Sequence, residues 1–197
     1  MRVGEARRKA ADWVQQHPGE KPWFKGAYFT GSTASLHDWE ELPEFSDIDV
    51  MVASDDKTER PKLGKFYYKG VLLEITYLPW HLFKTAETIL SSYHLAHGFK
   101  TDTIIADPTG HLRRLQRTVS AKFTERGEVR KRCSNAMDRI TSGLICADSE
   151  ASWPDAVTAW LFPCGVCAHV ILTADLQNPT VRLRYLAARK VLQTSHL

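Results

Sequence analysis

Asp47 and Asp49 stand one residue apart in Asp47-Ile48-Asp49-Val50-Met51-Val52, a run whose apolar members predict a strand. Side chains on a strand alternate between faces, so the two carboxylates share one face. Parallel carboxylates are costly unless a cation lies between them. An all-oxygen donor set suits a hard ion such as Mg²⁺, which keeps waters and takes its remaining ligands from a substrate's phosphates. A third acid, Glu74, is alone in the apolar part of Val71-Leu72-Leu73-Glu74-Ile75-Thr76-Tyr77-Leu78, a second predicted strand that follows the turn signal Lys69-Gly70. A lone carboxylate on a buried strand needs a partner, and a neighbouring strand carrying Asp47 and Asp49 supplies one through a shared metal. Three carboxylates on adjacent strands would hold one or two Mg²⁺ ions, the arrangement that serves phosphoryl or nucleotidyl transfer. The plainer alternatives are exposed acids at a strand end for the aspartates and a salt-bridged sheet residue for Glu74.

The elements that must position these groups follow from periodicity. Val3, Ala6, Ala10, Trp13 and Val14 fall at helical spacing and predict an amphipathic helix ended by His17-Pro18-Gly19. Ala27-Tyr28-Phe29 is a short strand running into Gly31-Ser32, and Thr33 to Ser46 is a turn or short helix followed by a loop. After the Asp47–Val52 strand comes a charged loop, Ser54 to Lys62. A strand through Phe66-Tyr67-Tyr68 is then joined to the Glu74 strand by a tight turn. Beyond Pro79 the residues Leu82, Phe83, Ala86, Ile89 and Leu90 predict a helix, Thr103–Ala106 a last strand and Asp107–Gly110 a turn. From Leu112 the chain reads as helical to Leu197, with breaks at Trp153-Pro154 and Asn178-Pro179-Thr180. Asn178 or Thr180 would cap the final helix, with Val181, Tyr185, Leu186 and Leu192 as its apolar stripe. The expected class is α/β (α+β), a small mixed β-sheet followed by a helical region.

At 197 residues and 43% apolar, the chain can bury a core in one large domain or two small ones. Its formal charge of +3 is slight, and no long basic block or basic-aromatic stripe marks a nucleic-acid groove. Arg113-Arg114 and Arg130-Lys131-Arg132 read as solvated helix faces. No apolar run reaches the roughly 18 residues that span a bilayer and the charged N-terminus lacks a signal-peptide core, which predicts a cytoplasmic protein without a membrane partner. The cysteines are Cys133, Cys146, Cys164 and Cys167; a reducing compartment argues against a disulfide framework. Cys164-Gly-Val-Cys167 with His169 nearby invites a zinc reading, but structural zinc usually takes a second paired motif, so buried thiols are expected. His94 and His97 read as ordinary helix residues.

Gly31-Ser32 at a strand end, then Ser46-Asp47-Ile48-Asp49-Val50, then Glu74 on a later strand together resemble the nucleotidyltransferase fold of the DNA polymerase beta superfamily. Gly31 to Pro79, with Ile105–Gly110 and Trp160-Leu161-Phe162-Pro163, is similar to a bacterial group of nucleotidyltransferase-domain proteins. More distantly the chain resembles the aminoglycoside and lincosamide nucleotidyltransferases, which pair this domain with a helical one. The resemblance implies a nucleotidyltransferase domain at 1–110 and a helical domain at 111–197, with further C-terminal sequence expected.

The roles it implies fit the residue types. Gly31 lets backbone approach phosphate and Ser32 supplies a hydroxyl and N–H, with Thr33 and Ser46 completing the nucleotide site. Asp47 and Asp49 bind Mg²⁺, and Glu74 is a further ligand or the general base. The expected reaction is attack of an acceptor hydroxyl on the α-phosphorus of a nucleoside triphosphate, ATP foremost, with release of pyrophosphate. The expected acceptor is a small hydroxylated molecule rather than nucleic acid. Protein or RNA nucleotidylation and a non-catalytic nucleotide-binding module are the alternatives. Two features depart from the family pattern. Thr33-Ala34-Ser35-Leu36 replaces a small-Arg-Gly stretch, and the loop before Asp47 carries Trp39, Glu40, Glu41 and Glu44. His37-Asp38 borders the site in sequence, as do Trp23, Trp39 and Trp80, any of which could stack on a ring.

Overall fold

Five strands form one mixed sheet, and it carries all three acids of interest. The structure, a computed structural model, describes residues 1–55, 63–145, 152–179 and 183–194. The strands are β1 (Phe24–Thr30), β2 (Ile48–Ser54), β3 (Lys65–Tyr68), β4 (Val71–Pro79) and β5 (Ile104–Ala106). Their spatial order is β3-β4-β2-β1-β5. β2 and β4 run parallel and the other neighbours antiparallel. The helices are α1 (Val3–Gln16), α2 (Ala86–Ser91), α3 (His111–Lys122), α4 (Arg126–Ile145), α5 (Trp153–Ala174) and α6 (Arg184–Thr194). The expected α/β class, a small mixed sheet followed by helices, is the class found. By its internal contacts the chain divides into two compact units, Met1–Ile89 with Gly98–Ser120, and Leu90–His97 with Ala121–Leu197.

In the first unit the alternation of β2 and β4 decides what the sheet covers. Ile48, Val50 and Val52 of β2 and Leu73 and Ile75 of β4 are buried in one cluster with Ala6, Ala10, Trp13 and Val14 of α1. Each large aliphatic side chain so buried contributes about 1.5–3 kcal/mol, which fixes the register, because a one-residue slip would turn the acids into this core. α1 presents the predicted stripe and ends before Pro18, which has no N–H to continue it. The β3–β4 hairpin turns through Lys69 (φ 48°) and Gly70 (φ 78°), the paired left-handed conformation that suits a two-residue hairpin. Tyr28 packs on the rings of Phe83 and Phe99 at 6.0 and 4.9 Å.

The segment after Pro79 departs from expectation. Instead of one helix through Leu90 it forms a 3-10 turn (Trp80–Phe83), the short α2 and a second 3-10 turn (Ala96–Phe99), with His97 in the latter and His94 between elements. The aromatic contacts of Phe83 and Phe99 with Tyr28 hold these turns and override the helical period.

The later helices correct further expectations. α3 and α4 are separate helices, divided at 123–125, where the sequence suggested no break. Arg132 is buried, not solvated: its guanidinium donates to the carbonyls of Phe123 (2.6 Å) and Leu90 (3.3 Å) and lies 4.4 Å from the Phe123 ring centroid. α5, 22 residues long, is long and apolar enough by length and composition to cross a membrane, contrary to the reading that no such run exists. The face of α5 through Gly165, Ala168, His169, Leu172 and Thr173 is buried, while Trp160, Leu161 and Phe162 are exposed. That choice of face leaves Cys164 half-buried and Cys167 exposed; Cys133 on α4 is also half-buried, so these thiols are not core residues. Cys146 lies outside the described residues. In α6 the buried residue is Ala188, and Tyr185 and Leu186 of the expected stripe are exposed. Asn178 precedes α6 by too many residues to cap it, and Thr180 and Val181 fall outside the described residues.

Candidate metal centre

The three acids meet because of strand register. Asp49 on β2 is the direct partner of Glu74 on β4, Thr30 on β1 is the partner of Asp49, and Lys65 on β3 is the partner of Glu74. Thr30, Asp49, Glu74 and Lys65 therefore form a row across four strands, and cross-strand partners share a face. Asp47 lies just before β2, which begins at Ile48 rather than at Asp47 as expected, yet its spacing from Asp49 keeps it on the same side. One carboxylate oxygen from each of Asp47, Asp49 and Glu74 lies within 4.8 Å of the others. Two oxygens on opposite sides of one Mg²⁺ stand about 4.2 Å apart, so a small inward movement of these side chains brings them to one ion.

The turn after β1 closes one side. Gly31 has φ 74° and ψ −167°, outside the range of residues with a Cβ. A Cβ there would lie 1.8 Å from Asp49 Oδ2, so the absence of a side chain is what lets this carboxylate rest against the backbone. Ser32 to Ser35 form a 3-10 turn in which Ser32 is exposed and Thr33 buried. The Thr33 hydroxyl donates to the Asp47 carbonyl at 3.4 Å, tying this turn to the start of β2. Ser46 is half-buried, and its N–H donates to the Pro43 carbonyl at 3.1 Å.

Among the described residues, Lys65 places a cation beside two of these acids. Its ammonium lies 2.5 Å from Asp47 Oδ2 and 3.4 Å from Glu74 Oε2. Burial works to raise the Asp47 carboxyl, but Lys65 outweighs it and holds the group below the usual carboxylate range. Asp47 in turn raises the Lys65 ammonium. Apart from Lys65, Asp47 Oδ2 meets no hydrogen-bond donor among the described residues although it is buried. A buried carboxylate oxygen of this kind, beside two more carboxylates, fits a hard divalent cation.

No family model matches the chain, and no curated protein matches it. Among solved structures it is similar to a nucleotidyltransferase-like protein from Exiguobacterium sibiricum 255-15, at a TM-score of 0.45 and 14% identity, over 94% of this chain and 62% of that one. The chain thus spans less than two thirds of that protein's length.

The aromatic candidates separate by packing. Trp23 is set edge-on to Tyr77 at 5.9 Å, and Trp80 packs against Phe83 and His111. Trp39 is exposed and stacks on His37 at 5.3 Å with an interplanar angle of 8°. Sequence reasoning passed over Phe45, which is 74% exposed and takes φ 61° two residues before Asp47. A bulky residue in the left-handed region is an outlier that marks a shaped loop. Lys65 and Arg7 were also passed over. Lys65 was within reach of counting: a two-residue turn at Lys69-Gly70 pairs Tyr68 with Val71 and so Lys65 with Glu74. Arg7 had no local signal, since its partners lie in a distant loop.

Proposed function

We propose that this chain is a Mg²⁺-dependent nucleotidyltransferase, moving a nucleoside monophosphate from a nucleoside triphosphate, ATP foremost, to a hydroxyl of a small acceptor. The observation that carries the reading is the convergence of Asp47, Asp49 and Glu74 beside the Gly31 turn. Asp47 and Asp49 would hold the ion, with Glu74 as third ligand or as base. Bound there, Mg²⁺ supplies charge neutralisation for the triphosphate and a template for in-line displacement.

The remaining work belongs to side chains and backbone. Gly31, Ser32 and Thr33 form a turn suited to phosphate oxygens, with the Ser32 hydroxyl exposed to donate and Ser46 at the other end of the loop. Glu74, where it is not a ligand, takes the proton of the acceptor hydroxyl. The acceptor oxygen bonds to the α-phosphorus, the bond from that phosphorus to the bridging oxygen breaks, and pyrophosphate leaves. Residues 1–110 are the transferring domain in this reading and 111–197 the helical one.

The test is thermal unfolding with ATP, GTP, CTP and UTP, each with and without Mg²⁺, because a ligand that binds the folded state raises its stability. A Mg²⁺-dependent rise with one triphosphate, followed by pyrophosphate release on addition of hydroxylated acceptors, is the expected result. No rise with any triphosphate overturns the reading; a rise without turnover for any acceptor class favours the nucleotide-binding module.

A further inference from the structure

Arg7 reaches from α1 to the turn that follows β1. Its Nη2 donates to three backbone carbonyls, Thr33 at 2.7 Å, Leu36 at 2.9 Å and Ala34 at 3.1 Å, while Nη1 pairs with Asp38 at 2.6 Å. The guanidinium lies 5.9 Å from the Phe29 ring centroid, and the side chain is 20% exposed. α1 itself is immobilised by its buried face, and the N–H groups of Val3 and Gly4 donate to the carbonyls of Glu40 and Asp38 at 2.9 and 3.0 Å. One cation therefore gathers the carbonyls of the segment from Thr33 to Leu36. Thr33 carries the constraint onward through its hydroxyl to the Asp47 carbonyl.

We propose that Arg7 is a positioning residue for nucleotide binding, clamping the turn at 31–36 in the place where it meets the triphosphate. The proposal rests on the reading that this turn holds phosphates. Three carbonyls gathered around the two N–H groups of one nitrogen are more than a surface ion pair needs, and they tie the short segment from Thr33 to Leu36 to α1. Arginine suits this task where lysine does not, because its planar fork reaches several acceptors in a fixed geometry and lysine offers one compact charge. None of these contacts of Arg7 touches the carboxylate cluster directly, so its effect on a nucleotide must pass through the turn.

The test uses the full chain, its Arg7→Met and Arg7→Lys variants, and two readouts. Hydrogen exchange without nucleotide reads the clamp. In Arg7→Met, amides at 32–38 should exchange about tenfold faster while those of β2 and β4 are unchanged, a charged hydrogen-bond set of this size being worth about that factor. Unchanged exchange at 32–38 overturns the proposal. Binding of Mn²⁺ alone and of Mn²⁺ with ATP reads the consequence. Mn²⁺ affinity should be unchanged and ATP affinity about tenfold weaker, with Arg7→Lys restoring neither readout. Equal ATP affinity in Arg7→Met and the unaltered chain also overturns it. An unaltered chain that binds Mn²⁺ but no triphosphate overturns the nucleotide reading instead, and the exchange result then judges the clamp alone. Arg7 is outside the buried stripe of α1, so both variants are expected to fold.

Discussion

Asp49 and Glu74 are direct partners in the parallel pairing of β2 and β4, so their separation is set by the sheet and not by loop conformation. Two carboxylates held in register repel at neutral pH, and the cost is carried by the apolar core beneath, Ile48, Val50, Leu73 and Ile75. A site built on strands in this way is stiff before any cation arrives. It also separates what the acids contribute to binding from what they cost the fold.

Asp49→Asn should therefore abolish stabilisation by divalent cations without unfolding the protein. The change keeps the side-chain shape on a strand whose neighbours Ile48 and Val50 hold the core, so the protein should stay folded without metal. At a metal concentration about a hundred times the dissociation constant the unaltered chain should gain about 2.7 kcal/mol. Urea unfolding with and without Mg²⁺ measures both quantities, and an equal Mg²⁺ gain in the Asp49→Asn variant would sink the assignment of the centre.

Gly31→Ala should damage both fold and site. The new methyl would meet Asp49 Oδ2 at 1.8 Å, and φ of 74° is itself unfavourable for alanine. Strain of this kind costs about 1–3 kcal/mol, and relief requires Asp49 to leave the cluster. Gly70→Ala is the matched control, with φ of 78° and nothing within 4 Å of the added Cβ. It should lose stability through backbone strain alone and keep its metal affinity. If both variants bind metal like the unaltered chain, the contact between Gly31 and Asp49 has no role in the site.

Lys65→Met should make the first unit depend on divalent cations. The ammonium now neutralises part of the charge on Asp47 and Glu74, and its loss takes that charge away from beside both carboxylates. Because the lysine side chain is 48% exposed, solvent screening limits the loss to about 1 kcal/mol at neutral pH. The folded Asp47 carboxyl lies below its usual range, so its contribution is present above the ordinary aspartate value of about 3.9 and disappears as pH falls through the folded value. Stability measured against pH should show the variant and the unaltered chain converging in acid. A difference that persists undiminished there would mean that Lys65 acts through packing.

The sheet and its acids were legible because strand alternation is short-range: Asp47, Asp49 and Glu74, with the Lys69-Gly70 turn, are read from neighbours along the chain. The α1 stripe was legible for the same reason. The segment after Pro79 was not, because the packing of Phe83 and Phe99 on Tyr28 overrides a helical period. Arg132 looked like one more basic surface residue, and only tertiary partners, the carbonyls of Phe123 and Leu90, account for its burial. Arg7 belongs with it, since four contacts more than two dozen residues away leave no trace in local sequence. In α5 the apolar residues run all round the helix, so periodicity could not choose the face that turned Cys167 outward.

His169→Phe should flatten the acid limb of the stability curve. His169 is buried on α5, 5.7 Å from the Tyr93 ring, and among the described residues neither ring nitrogen has a hydrogen-bond partner. Burial, with Arg184 adding to it, pushes its pKa below the ordinary histidine value. The unfolded chain therefore takes up a proton near pH 6.5 that the folded chain does not, and stability falls as pH drops below about 6.5. Phenylalanine keeps the ring against Tyr93 and removes both the proton and the unsatisfied nitrogens, so the variant should equal or exceed the unaltered chain at pH 7. Its advantage should grow steadily as pH falls from 7 to 5. Urea unfolding across that range decides it: parallel curves for the two proteins would show that the folded chain binds the His169 proton as readily as the unfolded chain does.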